Sequence, residues 1–219
     1  MKKSLSLSLI ALALAMPALQ GCVPAVIATG AAVGAMSIHD RRSTGTQADD
    51  ETTEWRARGR IPEQYKAQSR VNFTSFNRRL LISGEVPNED AKVAIEAEAR
   101  KIEGVREIYN ELTIGPAATL AARSNDSFID SKVKARLVDS NQISANHIKV
   151  VTENGATYLL GLVTDREAKV AIAVARTTAG VRKVVNILEV LPDDDIRRLD
   201  AQALGSRKAP PPTAPVESR

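Results

Sequence analysis

The sequence predicts an α+β fold: two tandem copies of one two-layer unit, each an αββαβ sandwich with two helices over a three-stranded mixed sheet. Three observations lead there. Ordered blocks recur along the chain, each copy passes from helical to alternating periodicity in the same order, and an Asn-Gly pair joins two strand-like runs in the second copy.

Leu81-Ile82-Ser83-Gly84-Glu85-Val86 is echoed by Tyr158-Leu159-Leu160-Gly161-Leu162-Val163, and Ala91-Lys92-Val93-Ala94-Ile95 recurs unchanged at residues 168–172. Gly104-Val105-Arg106-Glu107-Ile108-Tyr109-Asn110 matches Gly180-Val181-Arg182-Lys183-Val184-Val185-Asn186. Three blocks in one order describe a tandem duplication.

In the second copy, Ser124, Asn125 and Asp126 offer N-caps to a helix from Asp126 to Asp139, whose inward face is Ile129, Val133 and Leu137. Residues 147–152 alternate as a strand, Asn154-Gly155 suits the positive φ angles of a hairpin turn, and residues 157–163 return. Gly161 within that strand points to a bulge or a close backbone approach. Asp165 is placed to cap a helix running to about Thr178, Gly180 stops it, and residues 181–191 form the third strand. A hairpin plus a strand returning across a helix makes a mixed sheet.

The first copy is less regular at its start. Between Asp50 and Arg60 only Trp55 is a large apolar residue, and Gly59 and Pro62 limit the helix to about two turns. This helix is expected to be short or frayed, and residues 50–66 to add little to any lipid contact.

Lys2 and Lys3, the apolar run from Leu5 to Ala18 and a small residue before Cys22 compose a secretory signal over residues 1–21. Leu19-Gln20-Gly21-Cys22 resembles the lipobox of bacterial lipoproteins, with Gln20 a less usual residue. That resemblance implies cleavage before Cys22, with an N-acyl chain and an S-diacylglycerol on that residue and no other cofactor. Cys22 is the only cysteine, so no intramolecular disulfide forms. An uncleaved membrane helix fits less well, because Pro17, Gly21 and Pro24 interrupt the run. Val23, where Asp typically retains lipoproteins at the inner membrane, implies sorting to the outer membrane, facing the periplasm. Residues 22–49 read as a tether, and residues 192–219, with Pro210, Pro211, Pro212 and Pro215, as a disordered tail.

Loss of the signal removes two lysines and lowers the formal charge from +4 to +2. Such a balance, in an exported chain, excludes a dedicated nucleic-acid binder. Nothing resembles catalytic or metal chemistry. His39 and His147 lack ligand spacing, His147 reads as a solvated edge residue, Glu153 and Asp165 as turn and cap residues, and Asp193 to Asp195 as a solvated run. The chain is not expected to be an enzyme.

On the helix from Asp126, the residues Phe128, Ser131, Lys132 and Ala135 share a face away from the core, with Lys134 and Arg136 at its flanks. Two readings are open. The ring enters a bilayer interface while the cations meet phosphates, or Phe128 packs against the other unit and the charges only solvate the helix.

The Gly-x-Val strand end, the following helix and the closing Gly-Val-x-x-Val/Ile-x-Asn strand resemble the BON domain. With Thr152-Glu153-Asn154-Gly155, Gly161-Leu162-Val163-Thr164, Arg166-Glu167-Ala168, Ser43 and Gly45-Thr46-Gln47, the chain from Leu19 to Leu191 is similar to the dual-BON outer-membrane lipoproteins. The BON units would span 50–115 and 124–191. The resemblance implies binding of anionic phospholipid, notably phosphatidylglycerol, through the first helix of the second unit, with Phe128 at the aromatic position. It also implies support of outer-membrane integrity and a role at division sites. A protein–protein adaptor using that helix or the sheet edges is the alternative.

Acylation has only Cys22 as its acceptor. Cys22→Ser is therefore expected to abolish incorporation of labelled fatty acid and to move the protein from the membrane to the soluble periplasmic fraction.

Overall fold

The structure, a computed structural model, describes residues 40–206. The export signal, Cys22, the tether up to His39 and the tail beyond Ser206 lie outside the described residues. The elements run α1 (Thr44–Gly59), α2 (Glu63–Lys66), β1 (Arg70–Phe76), β2 (Arg79–Val86), α3 (Glu89–Ala99), β3 (Glu107–Ile114), α4 (Leu120–Asp139), β4 (Ile148–Glu153), β5 (Ala156–Val163), α5 (Asp165–Arg176), β6 (Lys183–Val190) and α6 (Asp193–Ser206).

Each copy folds as an α+β unit with a mixed sheet of three strands. β2 pairs antiparallel with β1 and parallel with β3, and β5 does the same with β4 and β6. Asn154 and Gly155 take φ values of 49° and 71°, as the Asn-Gly pair predicts. Gly161 has the close approach expected of it: a Cβ there would sit 2.4 Å from the His147 carbonyl oxygen.

The central strands are buried on both faces; β5 is accordingly almost wholly apolar, whereas β2 also buries Ser83 and Glu85, the latter paired with Arg70. On one face, Leu80 and Ile82 pack with Ala57, Ile95 and Ala99, while Leu159 and Val163 pack with Ile129, Val133, Leu137 and Ala171. On the other, Phe76 and Leu81 of the first sheet join Tyr158, Leu160, Leu162 and Ile187 of the second in one shared core. Around its edge Arg106 pairs with Glu189 at 3.0 Å, Lys183 with Glu111 at 3.2 Å, Lys149 with Glu54 at 3.0 Å, and Arg70 reaches Glu153.

Several expectations are corrected. α1 is a full helix of 16 residues that starts at Thr44, capped by Ser43, whose side chain accepts from the Thr46 amide. Its stability comes from tertiary bonds rather than an apolar stripe. Asp50, 2% exposed, accepts from the Asn77 and Arg78 amides at 2.7 and 2.9 Å, from the Ser75 hydroxyl and from Arg42. Those amides belong to the β1–β2 turn, where Asn77 and Arg78 have positive φ without a glycine. Asp126 repeats the arrangement, accepting from Asn154 and Gly155 at 2.8 and 3.0 Å. It is a turn clamp and not an N-cap: α4 begins six residues earlier, with Thr119 accepting from Ala122. α5 is capped by Thr164 in a reciprocal box with Glu167, not by Asp165.

The expected tether ends sooner and the expected tail starts later. Arg41, 6% exposed, donates to Glu167 at 2.7 Å, to the Leu162 carbonyl at 2.8 Å and to Asp200 at 2.9 Å. It thereby fastens the lead-in of the first unit to the second unit and to α6. Residues 193–206 are helical rather than disordered because Ile196 and Leu199, three apart, enter the shared core, and three aspartates favour the first turn. His147 is buried in a one-turn 3-10 helix, 3.7 Å from Glu167, and is not a solvated edge residue. Burial alone would raise the Glu167 carboxyl. Interactions with His147, Arg41 and the Thr164 amide outweigh it and hold the group well below the usual carboxylate range.

Two outcomes follow for stability. Asp50→Ala and Asp126→Ala each orphan two turn amides, so each should lower the unfolding free energy by about 2 kcal/mol in urea titrations. Glu167 has a depressed folded-state pKa, so its contribution is complete above the unfolded value of about 4.3 and is lost as pH falls below it. Thermal unfolding across acidic pH should show a steeper loss in the wild type than in Glu167→Gln.

Candidate functional site

The site predicted on α4 is a single exposed stripe. Ile129, Val133 and Leu137 point inward as expected, and their burial leaves the opposite face to solvent. Along that face Leu120, Ser124, Phe128, Ser131, Ala135 and Val138 follow one another at spacings of three and four, all exposed. Phe128 is 61% exposed, so the reading in which its ring packs against the first unit does not hold. Leu120 and Val138 extend the stripe at its two ends. Val138 lies within the helix read from the sequence, whereas Leu120 was hidden by starting it at Asp126.

The three cations divide between the flanks. On one side the Lys132 ammonium sits 4.8 Å from the centre of the Phe128 ring and donates to the Ala179 carbonyl. Arg136 donates to the Val174 carbonyl at 3.1 Å and to the Thr178 and Thr177 hydroxyls at 2.8 and 3.0 Å. Both therefore stand at the C-terminal end of α5, where carbonyls lack helical partners and the helix dipole favours positive charge. Lys134 lies on the other side, where a cleft of about 440 Å³ is lined by Asp40, Arg42, Phe76, Asn146 and Lys149. Beneath it burial raises the Asp130 carboxyl, moderated by a Thr152 hydrogen bond and by Lys134.

The cleft places the start of the described chain beside α4. Asp40 lines the same cavity as Lys134, and Arg42, which stacks 4.0 Å from the Phe76 ring, is bonded to Asp40 and Asp50. Sequence reading had no signal for this, since it depends on how the two units pack. Among the described residues no group of His, Cys, Asp and Glu is arranged to hold a metal ion, and no helix is long and apolar enough to cross a membrane.

The BON domain family model matches residues 49–116 and 125–192. The chain is 43% identical over 175 residues to the outer membrane lipoprotein DolP of Haemophilus influenzae, covering 79% of this chain and 90% of that protein. It is 36% identical over 151 residues to the 21 kDa hemolysin of Actinobacillus pleuropneumoniae, covering 68% and 78%. Among solved structures it is similar to CdsD, a structural protein of the type III secretion system of Chlamydia trachomatis, at 17% identity over 71% of this chain and 98% of that one, with a TM-score of 0.28. The two matched units, in the order and with the mixed sheets described above, place the chain in the BON domain family, as a dual-BON outer-membrane lipoprotein of the DolP type.

Proposed function

We propose that the protein is a non-enzymatic, phospholipid-binding component of the outer membrane. Lipid on Cys22 tethers it facing the periplasm, and α4 docks on anionic phospholipid, chiefly phosphatidylglycerol. The observation that carries the reading is the exposed Phe128 stripe with cations on both flanks. A ring and small side chains enter the interface while Lys132, Lys134 and Arg136 face phosphates, each cation contributing about 1 kcal/mol near such a surface. One acyl anchor gives location, and a second, weaker contact gives a chosen orientation and lipid selectivity. Phe lacks the indole N–H that favours interfacial Trp, so the contact is tuned weak. Support of envelope integrity, and a role at division sites, are the cellular counterparts of this reading.

The geometry also supports a choice of probe. Lys132 and Arg136 bond the end of α5, so replacing them disturbs the fold, whereas Lys134 makes no such bond to α5. Phe128→Glu should weaken binding to phosphatidylglycerol vesicles by about a hundredfold, through lost apolar burial and added repulsion, with the melting temperature nearly unchanged. Lys134→Gln should weaken it less, and more at low than at high salt. Undiminished vesicle binding by Phe128→Glu would sink the reading of α4 as the lipid contact and leave that helix as the docking face for an envelope protein.

A further inference from the structure

The clamp aspartates fix the alignment of the two first helices, and that alignment exposes a second patch. Asp50 and Asp126 do the same work on equivalent turns, so α1 aligns with α4 at an offset of 76 residues. At that offset Thr53 and Ala57 match Ile129 and Val133 of the inward face, and all of these are buried. Arg56, Arg58 and Arg60 then fall on Lys132, Lys134 and Arg136: three cations match three cations. The aromatic is kept but displaced. Phe128 corresponds to Thr52, and Trp55 corresponds to Ser131, one turn along the same outer face.

Trp55 is the only tryptophan of the chain and is 74% exposed, with Ala48, Thr52 and Gly59 beside it on the outer stripe. Arg58 and Arg60 make only exposed pairs, with Glu54 at 3.2 Å and Glu98 at 4.0 Å, which hold a guanidinium weakly and leave it able to turn to a phosphate. An amphipathic ring with Arg56 and Arg58 next to it on the helix, Arg60 at the C-cap and a single acid, Glu51, one turn before it matches the boundary between headgroups and acyl chains. On the lipid-anchored reading this helix also lies within reach of that surface. α1 starts 22 residues beyond Cys22, no more than about 75 Å of extended backbone, and is the first described helix after the anchor.

We infer that α1 is a second bilayer contact, in which Trp55 enters the anionic interface and Arg56, Arg58 and Arg60 meet its phosphates. This rests on the lipid-anchored reading above and reverses the expectation that residues 50–66 add little. Each ring must reach the leaflet, but both need not do so at once.

Because Trp55 is the only tryptophan, emission excited at wavelengths that tyrosine does not absorb reports on this site and no other. The acylated full-length protein is reconstituted in vesicles of phosphatidylcholine alone or mixed with phosphatidylglycerol, with bromine-labelled acyl chains as quenchers. The expected result is a blue shift and at least twofold stronger quenching with phosphatidylglycerol, both largely lost in the triple variant Arg56→Gln, Arg58→Gln, Arg60→Gln. Quenching that survives in Phe128→Glu supports a contact independent of α4. Emission that is neither shifted nor quenched in either vesicle overturns the inference. So does a shift that tracks protein concentration without lipid, which would mark self-association. Failure of the α4 reading is seen separately, as Phe128→Glu that binds anionic vesicles like the wild type.

Discussion

The shared core between the two sheets governs what else the molecule can offer. A unit of about 65 residues buries too little apolar surface to stand comfortably alone. Here each sheet is covered on one side by its own helices and on the other by its twin, through Phe76, Leu81, Tyr158, Leu160, Leu162 and Ile187. With both sheet faces used, the outer surfaces of the helices become the broad faces left for recognition. The stripe on α4 is exposed because the inward residues Ile129, Val133 and Leu137 have already satisfied the core. Its apolar residues are thus surplus to folding, which is what makes them informative.

The fold was legible where local chemistry decides it. Asn154-Gly155 marked a turn because few other pairs accept two positive φ angles, and the period of Ile129, Val133 and Leu137 marked a buried helix face. Reading failed wherever a residue works at long range. Asp126 has the chemistry of a cap and sits near an apolar run, so it reads as an N-cap, yet its partners are turn amides 28 and 29 residues away. α1 looked frail because its buried face is Asp50, Thr53 and Ala57, which carries little apolar bulk and is held largely by the hydrogen bonds of Asp50. Arg41, Glu167, Asp200 and His147 are scattered over the chain and meet only in space. In α6 the apolar pair Ile196 and Leu199 was masked by the acidic run before it and the prolines after it.

The candidate site was legible for the same local reason. Phe128, Ser131 and Ala135 share a face by angle alone, and Lys132, Lys134 and Arg136 flank it. What angle could not supply was the state of each charge. Lys132 and Arg136 serve the carbonyls at the end of α5, so their field toward solvent is partly spent within the fold, while Lys134 stands apart over a cleft. Two cations that stabilise a helix end and still present charge outward are economical, but they tie the patch to the integrity of the second unit.

Duplication separates what the fold requires from what each copy has made of it. The turn clamps Asp50 and Asp126 and the paired glycines at Gly84 and Gly161 hold both units to one geometry, since a Cβ at either glycine would collide with a backbone carbonyl. The outer faces of α1 and α4 carry no such burden, and there the copies differ in which turn bears the aromatic. Arg41 then holds the segment that leads into the first of those faces. Its buried guanidinium binds the lead-in of α1 to Glu167, Asp200 and Leu162, so the first described residues are fixed against the second unit. Its neighbours Asp40 and Arg42 share a cleft with Lys134 of α4, and three residues beyond Arg41 the chain enters α1. The same buried guanidinium thus joins the lead-in of α1 to the unit that carries α4, so the two outer faces belong to one folded body.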